Sequence, residues 1–342
     1  MARMAKAAAA LLAAVAIGCG GDEAESGDNA SSGPPEKPVK IRMGWGIPAE
    51  EVKYLMMRQP ELAPNLGTWY DVEWREFSGT ALGVQGLAAG TLDCASVGGL
   101  SVANGLDKGA DIVILGEFIE ERPPNHETTW MVKKDSGIDS VADLRGKKVA
   151  TNAVGGSTDY LQDFHIEREA GLKPGRDYEK VEVPFGQMQE TLLAGRVDVG
   201  LFPQPFHTAV TATGDVKPLF KVTDQIEPFV QIMNGCRRDF IEDNRAAMEK
   251  FQEDWARVAN WMAEPQNRDK VIAASSGATK IPAEVLDAFL LTERDYFRPP
   301  NGAVSVQALQ KEWDFFKERG GIKRDLKVSD HVIDGLTQIG DG

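Results

Sequence analysis

The sequence predicts an α/β protein in which two doubly wound, Rossmann-like lobes surround a cleft and a helical section follows. Three observations carry that reading. Strand-like runs alternate with helical segments in two successive halves, each in the order βαβαβαβ, the pattern of a mostly parallel sheet with helices on both faces. A segment also repeats: Leu87-Ala88-Ala89-Gly90-Thr91-Leu92-Asp93 in the first half returns as Leu192-Leu193-Ala194-Gly195-Arg196-Val197-Asp198 in the second. Beyond about Asp239 only helical periodicity remains.

The elements follow in order. Lys40 to Gly46 reads as a strand feeding a helix over Glu50 to Arg58, and Tyr70 to Phe77 alternates apolar and polar residues as a strand does. A short helix then ends at Gly90, suited to a left-handed C-cap, and a small apolar strand follows Asp93. Asp111 to Gly116 completes the first half. The second half answers with Lys147 to Asn152, a helix from Ser157 to Ala170 stopped by Gly171, Tyr178 to Phe185, a helix ending at Gly195, a strand after Asp198, and Val216 to Val222. Four helical stretches close the chain: Phe240 to Met262, Asp269 to Ser275, Pro282 to Thr292 and Val306 to Arg319. Trp255, Val258 and Met262 show their three- and four-residue spacing.

The N-terminal end reads as an export leader. Arg3 and Lys6 precede an unbroken apolar run from Ala7 to Ile17, too short to span a bilayer as a helix. Ala16-Ile17-Gly18-Cys19 resembles a bacterial lipobox, with Ala16 where Leu is usual, and implies that Cys19 is lipidated and becomes the mature N-terminus. The alternative is an ordinary signal peptide that contains a Cys. Residues 1–18 are therefore expected to be a lipoprotein signal peptide, and residues 19–38, rich in Gly, Ser, Pro and acid, a disordered tether.

Composition excludes several functions. The 342 residues hold 52 acidic and 38 basic side chains, a net charge of −14 that loss of Arg3 and Lys6 deepens by two units. That argues against nucleic acid or an anionic membrane surface as a partner, and leaves the lipid as the expected contact with a membrane. Three Cys rule out a disulfide-stapled mini-fold and a multi-Cys metal cluster. His126, His165, His207 and His331 are scattered, without metal-ligand spacing, so no metal and no cofactor are expected. No Gly-x-Ser-x-Gly elbow, His-Glu-x-x-His or Walker loop occurs, and no enzyme is expected.

Several ordered motifs carry a resemblance: Phe77-Ser78-Gly79-Thr80, Leu87 to Asp93, Gly98-Gly99 after the next strand, Asp135-Ser136-Gly137-Ile138, and Ser140 to Val149. Together they closely resemble the nitrate/sulfonate/taurine class of ABC-importer solute-binding proteins, whose superfamily includes thiamine-pyrimidine binders. The resemblance covers roughly residues 39–260. It implies a type II periplasmic-binding fold with chain crossings near 116–132 and 222–232. Lobe 1 would be 39–120 plus 225–342, and lobe 2 would be 121–224. It implies a monomer in the periplasm or on the outer face of the cell membrane, with a small-molecule ligand and an inner-membrane ABC permease as partners.

Ligands of open α/β sheets bind outside the carboxyl ends of the strands. Two facing lobes then place Trp45, Gly46, Phe77, Ser78, Gly79, Thr80, Gly98, Gly99 and Glu117 on one wall, and Gly155, Gly156, Ser157, Thr158, Gln187, Phe202 and Gln204 on the other. Gly155-Gly156-Ser157-Thr158 is the most informative stretch, because glycines admit close backbone approach and a helix start favours an anion. Ser78-Gly79-Thr80 offers the same chemistry opposite. The expected ligand is a small organic anion, sulfonate- or carboxylate-like, with Trp45, Phe77, Phe185 and Phe202 as aromatic walls. Glu117 and Glu120 either pair with an amine or are solvated.

One departure from the family bears on the ligand. Pro203-Gln204-Pro205 stands where much of the family has Trp-Asp-Pro, so an amide replaces a natural amine partner and the case for taurine itself is weakened. A pyrimidine or thiamine precursor and nitrate are alternatives for the same cleft. A pyrimidine-synthase type of enzyme is another, though its Cys-rich iron motif is absent here. In the implied fold the strand Val230 to Gly235 runs antiparallel beside the strand that begins at Cys94, and finishes at Cys236 away from the cleft. A disulfide and two buried thiols both fit that placement.

Overall fold

The computed structural model describes residues 33–77 and 79–340, so Cys19, the leader, most of the tether and Ser78 lie outside the described residues. A first pass builds β1 (Val39–Trp45), α1 (Glu51–Arg58), β2 (Tyr70–Glu76), α2 (Thr80–Ala88), β3 (Cys94–Val97), α3 (Gly99–Asp107) and β4 (Ile112–Glu121). A second pass builds β5 (Thr129–Lys133), β6 (Lys148–Thr151), α4 (Ser157–Ala170), β7 (Glu179–Glu182), α5 (Phe185–Leu193), β8 (Val199–Phe202), α6 (Phe206–Ala212) and β9 (Val216–Lys221). The chain returns through β10 (Phe229–Arg237). It ends in α7 (Arg238–Asp243), α8 (Arg245–Ala263), α9 (Arg268–Thr279), α10 (Ala283–Asp287) and α11 (Val306–Glu318).

Two five-stranded sheets result, ordered β2-β1-β3-β10-β4 and β7-β6-β8-β5-β9. They share one plan. Three parallel strands are followed by one antiparallel strand, β10 or β5, with β4 or β9 at the far edge. Each antiparallel strand is thus supplied by the chain just after it crosses from the other sheet, at 122–128 and 222–228.

The repeated Leu-x-Ala-Gly-x-x-Asp has a structural cause. Gly90 and Gly195 adopt left-handed backbone, φ 66° and 69°, which turns the chain off α2 and α5 at no steric cost. The Asp that follows then fastens the incoming strand to the middle one of the three parallel strands, β1 or β6. Asp93 Oδ2 accepts the Arg42 N–H at 2.8 Å, and Asp198 Oδ2 accepts the Lys148 N–H at 2.8 Å. Arg42 adds a side-chain pair to the buried Asp93.

Two elements differ from expectation. β5 was hidden in the expected crossing because its residues Thr129 to Val132 are buried on both faces and show no alternation. β4 runs past Gly116 to Glu121, all ten residues buried, because Glu117, Glu120 and Glu121 find partners inside the protein. Charged residues at a strand end read as its exit, and here they are not.

The C-terminal helices complete the first sheet's core. Met248, Phe251, Trp255, Val258 and Met262 of α8 are buried against Ile41, Met43, Val113 and Leu115. The expected long helix breaks at Asn244 into α7 and α8, and α10 is shorter than expected, five residues. Cys94 and Cys236 face each other across β3 and β10 and are joined by a disulfide. Among the described residues no helix is long and apolar enough to cross a membrane.

Candidate ligand-binding cleft

The carboxyl ends of the strands in both sheets open on one cavity with about 900 Å³ of space unfilled by protein atoms. Trp45 and Gly46 follow β1, Phe77, Gly79 and Thr80 follow β2, and Gly156, Ser157 and Thr158 follow β6. Phe185 at the start of α5, Pro203 after β8, and Phe229 on β10 close the walls. Mostly apolar walls with a few convergent polar groups suit a small organic molecule.

Helix starts dominate the polar part of this lining. α2 and α4 begin behind Gly79 and Gly156, and neither end carries a side-chain cap. Their first N–H groups are therefore left for another acceptor, with the helix dipole behind them. Ser157 Oγ is buried without a hydrogen-bond partner. Thr80 comes from the opposite sheet to meet it: a side chain at Gly98 would bring its first carbon to 3.3 Å from Thr80 Oγ1 and 3.5 Å from Ser157 Oγ. Gly98 thus shapes the cavity from behind by lacking a side chain. Thr158 is already engaged, its Oγ1 donating to Asn152 Oδ1 at 3.3 Å.

Charge is sparse. Among the described residues the lining holds no Lys, Arg or His, and its one ionisable side chain is Glu50. Glu50 Oε1 accepts the Gly46 N–H at 3.0 Å, and its Oε2 lies 3.4 Å from the ammonium of Lys53. Lys53 is fully buried behind it and donates to Gly44 O and Ser96 Oγ, both at 2.7 Å. Burial pushes the Lys53 pKa down to about 8 against the pull of Glu50, and pushes Glu50 up against the pull of Lys53. Tyr54 donates to Gly46 O at 2.6 Å and meets Trp45 edge-on, ring centres 5.9 Å apart, so the β1 exit is held from behind.

Of the residues expected at the walls, Trp45, Gly46, Phe77, Gly79, Thr80, Gly156, Ser157 and Thr158 come together at the cavity. Of the others, Ser78 lies outside the described residues, Gly98 backs the cavity, and the rest are placed elsewhere. Gly99 backs on the Glu312 carboxylate of α11, and Glu117, 1% exposed, accepts the Ser305 N–H at 2.9 Å. Burial, and then neighbouring Glu120, push the Glu117 carboxyl well above the usual carboxylate range. Gly155 donates to Asp159 of its own helix. Gln187 is exposed on α5, and Phe202 is fully buried in the second sheet's core. Gln204 donates to Arg294 O at 3.1 Å and accepts from Thr208, so its amide ties the second sheet to the C-terminal section.

Four polar lining residues, Glu50, Ser96, Asn152 and Gln231, escaped the sequence reading. Glu50 looked like an ordinary helix start, Asn152 a strand end, and Gln231 a stray amide in an apolar strand. That amide between Val230 and Ile232 was the one available signal: its Nε2 donates to Thr128 Oγ1 at 3.2 Å, and its Oε1 is buried unpartnered.

Comparison with known proteins bears on this arrangement. No curated protein matches the chain. The periplasmic aliphatic sulphonate binding protein SsuA from Escherichia coli is similar in structure with a TM-score of 0.67 at 22% identity, covering 88% of this chain and 99% of that one. The alkanesulfonate-binding protein SsuA from Xanthomonas axonopodis pv. citri, bound to MOPS, gives 0.68 at 19% identity over 87% and 99%. The periplasmic nitrate-binding protein NrtA from Synechocystis PCC 6803 gives 0.67 at 14% over 89% and 88%. These likenesses establish the fold as the two-lobed periplasmic-binding type. The family model described as NMT1/THI5 like matches residues 70–268, more than half of the chain, and the protein belongs to that family.

Proposed function

We propose that this protein is the extracytoplasmic solute-binding lipoprotein of an ABC importer. It captures a small organic anion, sulfonate- or carboxylate-like, between lobe 1 (39–120 plus 225–342) and lobe 2 (121–224). It then delivers that anion to an inner-membrane permease, kept within reach by a lipid on Cys19. The observation that carries the reading is the meeting of two uncapped helix starts, α2 and α4, from opposite sheets around the unpartnered Ser157 hydroxyl. N–H groups aligned with a helix dipole bind an anion without a cationic side chain. A ligand that bridges both sheets adds contacts only when the lobes are together, which favours the closed form.

The aromatic part of the lining supports an organic body on that anion, and the sulphonate-binding names of two structural relatives agree. The chain is a binder and not an enzyme on this reading. A thermal-shift screen of sulfonates, aliphatic and aromatic carboxylates, nitrate and pyrimidines tests it, since a ligand of the folded state raises the melting temperature. Stabilisation by organic anions is expected. Stabilisation by nitrate alone or by neutral pyrimidines alone would contradict the ligand class, and turnover of a hit would contradict the binder.

A further inference from the structure

One end of the cleft is chemically unlike the helix starts. The residue at which a carboxylate for an amine was sought, Gln204, is turned out of the cavity and spends both amide atoms on Arg294 and Thr208. A carboxylate enters the lining from the other sheet instead. Glu50 is 2% exposed, and while its Oε1 accepts from Gly46, its Oε2 accepts no hydrogen bond.

Lys53 does not satisfy that oxygen. Its ammonium is fully buried, donates at 2.7 Å to Gly44 O and to Ser96 Oγ, and pairs with Oε2 in charge at 3.4 Å without a hydrogen bond to it. The pair is close to neutral as a unit, yet the atom left for a ligand is an acceptor. A buried acceptor without a donor is costly, and a ligand N–H removes that cost. Donors therefore gather at α2, α4 and Ser157, and an unmet acceptor waits after β1.

We propose that Glu50 Oε2 is a specificity-determining acceptor that selects, among organic anions, those carrying an amino group away from the anionic head. The proposal rests on the organic-anion reading above. An ion with no donor, or with negative charge at both ends, meets the Glu50 oxygen unfavourably and is discriminated against. Selection is by hydrogen bond as much as by charge, because Lys53 already balances the carboxylate.

Calorimetry on the mature full chain with matched probes tests this: 4-aminobenzenesulfonate against benzenesulfonate, and 3-aminopropanesulfonate against propanesulfonate. The amino member is expected to bind at least tenfold more tightly in one pair or both. Glu50→Gln keeps the shape but turns the free acceptor into a donor. It is expected to abolish the preference, bringing the two members of each pair to within about twofold of each other. Equal binding of both members to the unaltered protein overturns the role of Glu50 and leaves the organic-anion reading standing. Failure of all four sulfonates to bind overturns the role of Glu50, and overturns the organic-anion reading as well when the carboxylates of the thermal-shift screen also fail. Because the paired comparison uses the unaltered protein, it decides even where Glu50→Gln does not fold.

Discussion

The hydroxyl of Tyr160 on α4 donates to the backbone carbonyl of Arg319, the residue that ends α11. Around this bond Phe164 meets Phe315 edge-on at 5.4 Å, and the Arg319 guanidinium lies 3.8 Å over Phe315 and 4.8 Å over Phe164. The helix that presents Ser157 to the cleft therefore also clasps the C-terminal section on its flank. The proposed anion site at its first turn and the contact with the C-terminal section thus belong to one helix.

Loosening that clasp should open the protein. Phe164→Ala removes both the edge-on contact and one face of the cation–π stack, and Tyr160→Phe removes one hydrogen bond, about 1 kcal/mol. The double variant is expected to show a larger radius of gyration in unliganded small-angle scattering. An unchanged scattering profile would show that the crossings alone set the distance between the lobes.

The anion subsite is tested at α4. Ser157→Ala with Thr158→Ala should weaken binding of an organic anion by about tenfold or more, the loss of one or two charge-assisted hydrogen bonds. Most of that effect should appear in Ser157→Ala alone, because Thr158 already spends its hydroxyl on Asn152. Calorimetric affinity equal to that of the unaltered protein would remove the subsite from α4.

The Cys94–Cys236 bond closes a segment 142 residues apart in sequence and joins β3 to β10. Replacing both by Ala should lower the unfolding free energy by about 2–4 kcal/mol, chiefly by freeing the unfolded chain. Denaturant unfolding measures this. Alkylation of both thiols in exported protein without a reductant would show that the bond does not form.

Acidity enters through β4. Burial pushes Glu121 up to about 8, although Thr128 donates to it from both its N–H and its hydroxyl at 2.5 Å; Glu117 and Glu312 are raised as well. A carboxyl raised in the folded state contributes stability that is full below its ordinary pKa and is lost as pH climbs through the raised value. The histidines, all lowered by burial, act oppositely, but only below their ordinary 6.5. From pH 6.5 to 8 the carboxyls therefore govern, and the melting temperature should fall. Glu121→Gln should flatten that slope, and a melting temperature that rises over the interval would refute the assignment.

Local signals carried much of this. Gly90, Gly195 and the Asp residues that follow them were visible because a left-handed turn and a strand-fastening carboxylate are requirements of a short segment, met twice by the same residue types. The start of α4 was visible for the same reason, since Gly156, Ser157 and the stop at Gly171 are local. β5 was not, because strands buried on both faces lose the alternation that marks them.

The sequence by itself determined the two α/β halves, their repeated turns and the helix starts at which an anion can be held. Tertiary structure alone decided which polar side chains enter the cleft. Gln204 leaves it because Arg294, ninety residues later, offers a carbonyl. Glu50 enters it because Gly46 at the β1 exit donates to one of its oxygens while Lys53 of α1, itself anchored on Ser96 of β3, pairs in charge with the other. A side chain at the end of a strand or the start of a helix points toward whatever distant segment satisfies it, and that partner is invisible to local pattern.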